Sequence, residues 1–146
     1  MAATEIDRQD LVDALATMSF TTMAVLSKLA AEHDLSLTQL RVLGILRDRR
    51  LKMSELADYL GLDRSTISGL VERTEKRGLV QRAPNPIDGR GVDVWLTARG
   101  AEAAQRGAAA LARSLAPMTS ALTPVEARRL TDLLVRLLPE APPTTT

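Results

Sequence analysis

Between Asp63 and Arg90 the chain collects the side chains that can hydrogen-bond a polyanion or the edge of a base. Arg64, Ser65, Thr66 and Ser68 fall within one turn of a helix-compatible run, followed by Gly69, Glu72, Arg73 and Lys76. In the same run Ile67, Leu70, Val71 and Thr74 stand at i, i+3, i+4 and i+7, so as a helix it turns these four inward and the polar set outward. The hydroxyls can bond phosphate or a base edge, and Gly69 lets a backbone come close. Glu72 could accept from a cytosine amino group, while Arg73 could serve a guanine or a phosphate. A few residues on, PNPIDGRG must be a loop, because Pro84, Pro86 and Gly89 stiffen and shape it. Arg90 sits at its far end, where a guanidinium suits a narrow, electronegative groove. Asp88 is placed to orient that guanidinium, with Asp63 an alternative partner, and Arg82 and Arg99 are ordinary phosphate contacts. Taken alone, a charged helix face is usually only solvated and a loop arginine only surface. The order of the elements around them argues otherwise.

Those elements can be read off in turn. Leu11, Leu15, Met18, Thr22, Val25 or Leu26, and Leu29 recur at three- and four-residue steps, which predicts one long helix over residues 6–33. Ser36 and Gln39 form a Ser-x-x-Gln capping box that opens a second helix running to about Arg47. A third helix covers Ser54–Leu60 and stops at Gly61. Asp63 caps the fourth, the polar-faced run above, and Gly78 ends it. Leu79–Ala83 and Val92–Leu96 read as two strands of a hairpin around the loop. Thr97 caps a fifth, alanine-rich helix extending to Leu115 before Pro117, and Thr123-Pro124-Val125-Glu126 starts a sixth with an apolar leucine stripe. The closing PEAPPTTT, and the first four residues, read as disordered.

Whole-chain properties narrow the class. The chain has 146 residues, enough for about one domain, and 45% hydrophobic residues supply a core, with only 2% aromatic. No apolar run reads as approaching the roughly 18–20 residues that span a bilayer, and no secretory leader pattern is evident, so no membrane partner is expected. Cysteine is absent, which excludes thiolate metal sites and thiol redox switches and suits a cytoplasmic setting. The single histidine, His33, has no second histidine or cysteine with which to hold a metal. No nucleophile motif is present, so the chain is read as neither an enzyme nor a cofactor protein. Net charge is only +1, but residues 1–37 carry −4 and residues 38–99 carry +4. The positive charge lies on the segment that would face phosphate.

The expectation is therefore a mainly α fold with a small β-hairpin wing, a winged helix-turn-helix that binds duplex DNA. It would comprise an N-terminal dimerisation helix (1–35), the reader (36–99), C-terminal dimerisation helices (100–138) and a disordered tail (139–146). The apolar stripes of the terminal helices exceed what the reader can cover, and a symmetric dimer would bury them. The run LDRSTISGLVERTEKRGLVQRAPNPIDGRGVDVWLTARG closely resembles the MarR family of bacterial transcription regulators, in its recognition helix, RGLVQR run into the wing, D-x-R tip and LT-x-x-G exit. That resemblance implies a homodimer on a pseudo-palindromic operator, often a repressor released by a small aromatic or phenolic effector. It implies that Ser65, Thr66 and Ser68 face the groove and that Arg90 enters the minor groove. Related proteins bind effectors near the junction of the first two helices, which makes His33 a weak ligand candidate. Met18, Phe20 and Met23 nearby read as core or dimer contacts. Two residues depart from the family pattern: Thr74 stands where an apolar residue is usual, and Trp95 is unusual on an exposed wing strand. Two other classes remain open from residues alone, a winged helix used for protein docking and a small-molecule-binding protein.

Overall fold

The computed structural model describes residues 2–138, with side chains from residue 8 onward; the tail expected at 139–146 lies outside the described residues. Six helices and three strands follow in the order α1 (Ala2–Glu32), α2 (Leu37–Leu46), β1 (Leu51–Lys52), α3 (Met53–Leu60), α4 (Arg64–Lys76), β2 (Val80–Pro84), β3 (Val92–Leu96), α5 (Ala98–Thr119) and α6 (Pro124–Leu137). The fold is mainly helical with a small antiparallel sheet, as expected.

The helix starts follow from local chemistry. At α2 the Ser36 hydroxyl accepts from the Gln39 amide at 3.0 Å, and the Gln39 side chain accepts from the Ser36 amide at 3.0 Å. Asp63 caps α4 by accepting from the Thr66 amide at 2.8 Å, and Thr123 and Glu126 form the reciprocal box at α6. Gly61 and Gly78 end α3 and α4 in left-handed conformations, with φ of 65° and 73°, which only glycine adopts without steric cost.

Several boundaries, and one additional strand, differ from the sequence reading. α1 begins at Ala2, upstream of residue 6 and inside the segment read as disordered. α5 continues through Pro117 to Thr119; a proline this close to a helix end forfeits one backbone bond where the ladder is already ending. β2 is shifted one residue, to Val80–Pro84. The third strand, β1, is a two-residue segment with no alternation to reveal it, and it pairs with β3 through Leu51–Val94 and Lys52–Asp93, giving the order β1-β3-β2.

The core sits inside the reader. Val42 and Leu46 of α2, Leu56 of α3, Ile67, Leu70 and Val71 of α4, and Val80 and Val94 of the sheet form one buried cluster. Thr74 does not loosen it: the residue is fully buried, its hydroxyl donates to the Leu70 carbonyl at 2.7 Å, and Gln39 Nε2 reaches it at 3.5 Å. Thus the side chain that caps α2 also ties α2 to α4. A smaller cluster of Leu43, Leu79 and Ala104 joins α5 to the reader. There Gly100 is obligatory by close approach, since a Cβ at that position would collide with the Leu79 carbonyl. Thr97 completes the joint, accepting from the Gly100 amide at 3.0 Å and donating to the Gly78 carbonyl at 2.6 Å.

Outside the reader the pattern reverses. α6 has no buried residue, and Leu11, Val12, Leu15, Met18, Phe20 and Met23 of α1 are exposed, Phe20 by 78%. Among the described residues of α1, only Leu29 and Ala30, at its end, are buried. The Arg8–Glu32 stretch is long and apolar enough, by length and composition alone, to cross a bilayer. The sequence reading looked for an unbroken apolar run, which Asp13, Lys28 and several serines and threonines interrupt without lowering the average enough.

Candidate nucleic-acid interface

α4 presents the two faces its spacing dictates. Ile67, Leu70, Val71 and Thr74 are buried, while Arg64, Ser65, Thr66, Ser68, Glu72, Arg73 and Lys76 are exposed or half-buried and Gly69 is half-buried. At the N-terminal turn Asp63 accepts from the Thr66 amide and from the Ser65 hydroxyl at 2.9 Å. These bonds, with the backbone amide of Thr66 foremost, hold the Asp63 carboxyl below its ordinary range. Asp63 is therefore a helix cap, not a partner of Arg90. Further along, Arg73 lies over Gly69, its guanidinium 3.1 Å from where a Cβ would stand, so the open strip of backbone is shielded by a long, flexible cation. Lys76 pairs with Glu72 at 3.0 Å, which lowers the Glu72 carboxyl from its usual value.

Besides Ser65 and Lys76, two further residues read as DNA contacts are committed elsewhere. Arg82 makes a two-pronged bond to Glu75, at 3.0 and 3.2 Å, that fixes β2 against the end of α4 and raises its own affinity for the proton. Asp88 does not orient the Arg90 guanidinium. It accepts from the Arg90 backbone amide at 3.2 Å and from Lys52 Nζ at 3.4 Å, both of which depress its carboxyl pKa, the amide more. The effect is to shape the loop under Arg90 and leave its side chain exposed. Among the described residues Arg64, Arg73 and Arg90 have no ion-pair partner, so their full charge is available to phosphate.

The wing is held by residues that sequence reasoning passed over. Asn85 Oδ1 accepts from the amides of Ile87 and Asp88, at 2.9 and 2.8 Å, while its Nδ2 donates to Asp93 Oδ1 at 2.8 Å. Asp93 is only 6% exposed, and its second oxygen takes the Arg50 Nε at 3.0 Å. The Arg50 guanidinium also stacks on Trp95, 3.7 Å from the ring centre. Trp95 thus serves an arginine of its own chain, which accounts for an aromatic residue on this strand. The signal available in the sequence was an aspartate in mid-strand, a residue strands disfavour; its burial, which requires partners, is visible only in the fold.

A second feature lies away from the α4 face. α1, α2, α3 and α5 line a half-open apolar cavity of about 650 Å³, with Met23, Leu26, Leu40, Ile45, Leu62 and Leu111 on its wall and Arg41 and Arg47 as the cationic lining residues among the described ones. Arg41 donates to the Tyr59 carbonyl at 3.0 Å, which ties the cavity wall to α3. His33 is exposed in the α1–α2 turn and does not line this cavity, because α1 has ended one residue before it. Its candidacy as a ligand residue therefore has no geometric support.

The comparisons with known proteins agree with this geometry. The family model described as the MarR family matches residues 33–91, from the α1–α2 turn to the wing tip. The transcriptional repressor NicR of Pseudomonas putida is 39% identical over 79 residues, covering 53% of this chain and 50% of NicR. The repressor IacR, also of Pseudomonas putida, is 30% identical over 110 residues, 75% of this chain and 66% of IacR. The chain spans half or less of the length of most of the curated relatives it matches. Among solved structures, MarR of E. coli without ligand superposes with a TM-score of 0.73 at 28% identity, over 88% of this chain and 96% of that one. A cysteine-to-serine mutant of the same protein, complexed with operator DNA, superposes at 0.70 over 89% and 94%. This chain belongs to the MarR family, and the curated relatives it matches are named as transcriptional regulators and repressors.

Proposed function

We propose that the chain is a homodimeric DNA-binding transcription regulator, a repressor that occupies a pseudo-palindromic operator in the cytoplasm. The observation that carries this reading is the joint presentation of two uncommitted surfaces on one rigid domain, the exposed α4 face and Arg90 on the wing. The α4 face suits the major groove, with Arg64 and Arg73 for phosphate or guanine and Ser65, Thr66 and Ser68 for phosphate or base edges. Arg90 suits the adjacent minor groove. The exposed apolar faces of α1 and α6 supply the dimer contact, which sets the two α4 helices about one DNA turn, roughly 34–36 Å, apart. That apolar demand also accounts for the membrane-like composition of α1.

The same reading extends to an effector. A cavity of about 650 Å³ is within the size range of small-molecule sites, about 300–1,000 Å³. Its apolar wall with Arg41 and Arg47 suits a small amphipathic anion, such as an aromatic carboxylate or a phenolate. Because the cavity touches α1, α2 and α5 together, filling it changes how the reader sits on the dimerisation helices. The test is selection of duplexes from a random pool by the purified chain, followed by gel shifts of the winner with and without aromatic carboxylates and phenols. Enrichment of an inverted repeat whose binding is weakened by such a compound is expected. Failure to enrich any sequence would sink the DNA reading, whereas enrichment insensitive to every compound would leave a constitutive regulator.

A further inference from the structure

Two cations flank the buried Leu51 of β1, and each grips a different part of the wing. Arg50 reaches Asp93, and through it Asn85 and the amides of Ile87 and Asp88. Lys52 reaches Asp88, which in turn holds the Arg90 amide. Of the two, the Arg50 chain is the better built. Every link is a bond of 2.8–3.0 Å, its central carboxylate is buried, and the guanidinium is clamped flat on Trp95. A hairpin projecting from two strands would otherwise swing at its base. Here the base is bolted to the α2–β1 junction, which belongs to the rigid core that also carries α4.

We propose that Arg50, acting through Asp93 and Asn85, is a positioning residue that fixes the pitch of the wing relative to α4 and so delivers Arg90 to the minor groove in register with the recognition helix. This rests on the DNA-binding reading above. Arg50 is half-exposed, with 47% of its side chain in solvent, and the rival explanation is a plain phosphate contact. Charge separates the two. A phosphate contact is a matter of net positive charge, so Arg50→Lys and Asn85→Ala, which leave the charge unchanged, would bind DNA like wild type. Asp93→Asn, which removes a negative charge from a DNA-facing element, would bind more tightly. A positioning role requires all three to bind more weakly, because a lysine cannot hold the carboxylate and lie flat on the indole at once.

The experiment measures affinity for a duplex that the wild-type chain has selected from a random pool, across a salt series, for Arg50→Lys, Asn85→Ala and Asp93→Asn, each also combined with Arg90→Ala. Expected is a loss of about three- to tenfold for each variant, the scale of coupling between residues in contact, with the slope of log K against log salt unchanged for Arg50→Lys and Asn85→Ala. The loss should vanish when Arg90 is already alanine, because there is then no contact left to position. The emission of Trp95, the single tryptophan, should shift in Arg50→Lys and Asp93→Asn, reporting release of the stacked guanidinium without any DNA. Asn85→Ala lies in a loop and keeps the buried pair, so it tests the relay even where Asp93→Asn unfolds the sheet. Wild-type affinity in Arg50→Lys and Asn85→Ala, or losses that add in full to that of Arg90→Ala, would overturn the proposal. A wild-type chain that selects no duplex would remove the DNA reading, and this proposal with it.

Discussion

From Ser36 to Thr97 most large apolar side chains are inside, with Ile87 and Val92 of the wing exposed, whereas along α6 and from Leu11 to Met23 of α1 they are outside. The reader closes on itself: Val42, Leu43, Leu46, Leu56, Val71 and Val94 are essentially solvent-free, and no buried side-chain polar atom there lacks a partner among the described residues. In the terminal helices Val125, Leu130, Leu133, Leu134 and Leu137 share an α6 that buries nothing. An exposed leucine is unremarkable singly, but a continuous run of them on two helices is the mark of an interface. On the dimer reading proposed above, one chain builds the reader and a second is needed to cover the terminal helices.

The most severe test of that contrast is to remove α6. A chain ending before Thr123 should keep a folded reader, because α6 gives no side chain to either core cluster, yet lose its dimer. With half the contacts gone, operator affinity should fall by at least about a hundredfold, as expected when two linked half-sites become one. Sedimentation gives the assembly state, circular dichroism the fold and gel shifts the affinity. A stable monomer for the intact chain at micromolar concentration would break the comparison outright. Truncating α1 is the poorer experiment, because Leu29 and Ala30 are part of the buried interior.

Next in size is the joint between the two regions. Gly100→Ala places a methyl group against the Leu79 carbonyl, and backbone cannot yield as a flexible side chain can. A loss of about 1–3 kcal/mol is expected from overpacking at a fixed contact, read by chemical denaturation, together with a weaker dimer. Destabilisation without any change in dimerisation would show that α5 communicates less with the reader than its packing suggests.

A similar magnitude is expected on the reader's own surface, where binding rather than stability is at stake. Arg90→Ala removes an unpaired cation, and about 1–3 kcal/mol of binding per half-site should go with it, depending on the A·T content beneath the wing. The fold and the dimer should be untouched, which sets this variant apart from the two above. Wild-type affinity at moderate salt would mean that the wing is not in the groove.

How much of this could be read in the sequence divides along the same line. The reader's elements were legible because each carries local chemistry: the Ser36–Gln39 box, the Asp63 cap, the glycines at 61 and 78, and the alternation around Val94. The inward and outward faces of α4 followed from spacing alone. What escaped was everything set by tertiary pairing. β1 is too short to show a period, and Pro117 looks like a stop until its place in the last turn is known. Arg82 and Asp88 look free in one dimension and turn out to be bonded to Glu75 and Lys52. Thr74 looks like a flaw in the apolar face, because its partner, Gln39, lies thirty-five positions away. His33 was attractive for its place near the α1–α2 junction, yet it does not line the cavity.

A smaller effect is expected within the reader's core. Thr74→Val preserves shape and burial but leaves Gln39 Nε2 without its hydroxyl partner. A cost of about 1 kcal/mol is expected, near the value of one hydrogen bond whose remaining half stays buried. The double variant with Gln39→Leu should recover part of it. Stabilisation by Thr74→Val alone would mean that the threonine does loosen the packing.

The smallest effect expected is at the end of α4, where Lys76 is already paired with Glu72. A lysine free to neutralise phosphate contributes up to about 0.9 to the slope of log K against log salt, but one bound to a neighbouring carboxylate contributes less. Lys76→Gln should therefore flatten the salt dependence by well under that amount. Glu72→Gln should instead steepen it and tighten binding, because it releases Lys76 and removes a negative charge from the DNA-facing side. The sign with pH follows from the lowered Glu72 carboxyl. A depressed folded-state value means that the pair's contribution is fully present above the ordinary carboxylate pKa and is lost as pH falls through the lower one. Between about pH 5 and 8 Glu72 stays ionised, so the difference between wild type and Glu72→Gln should be constant there and shrink only in more acid solution. Salt titrations of the three proteins at two pH values decide the matter. A Lys76→Gln slope change as large as a full phosphate contact would show that DNA pulls Lys76 away from Glu72, and that the pairing belongs to the unbound reader alone.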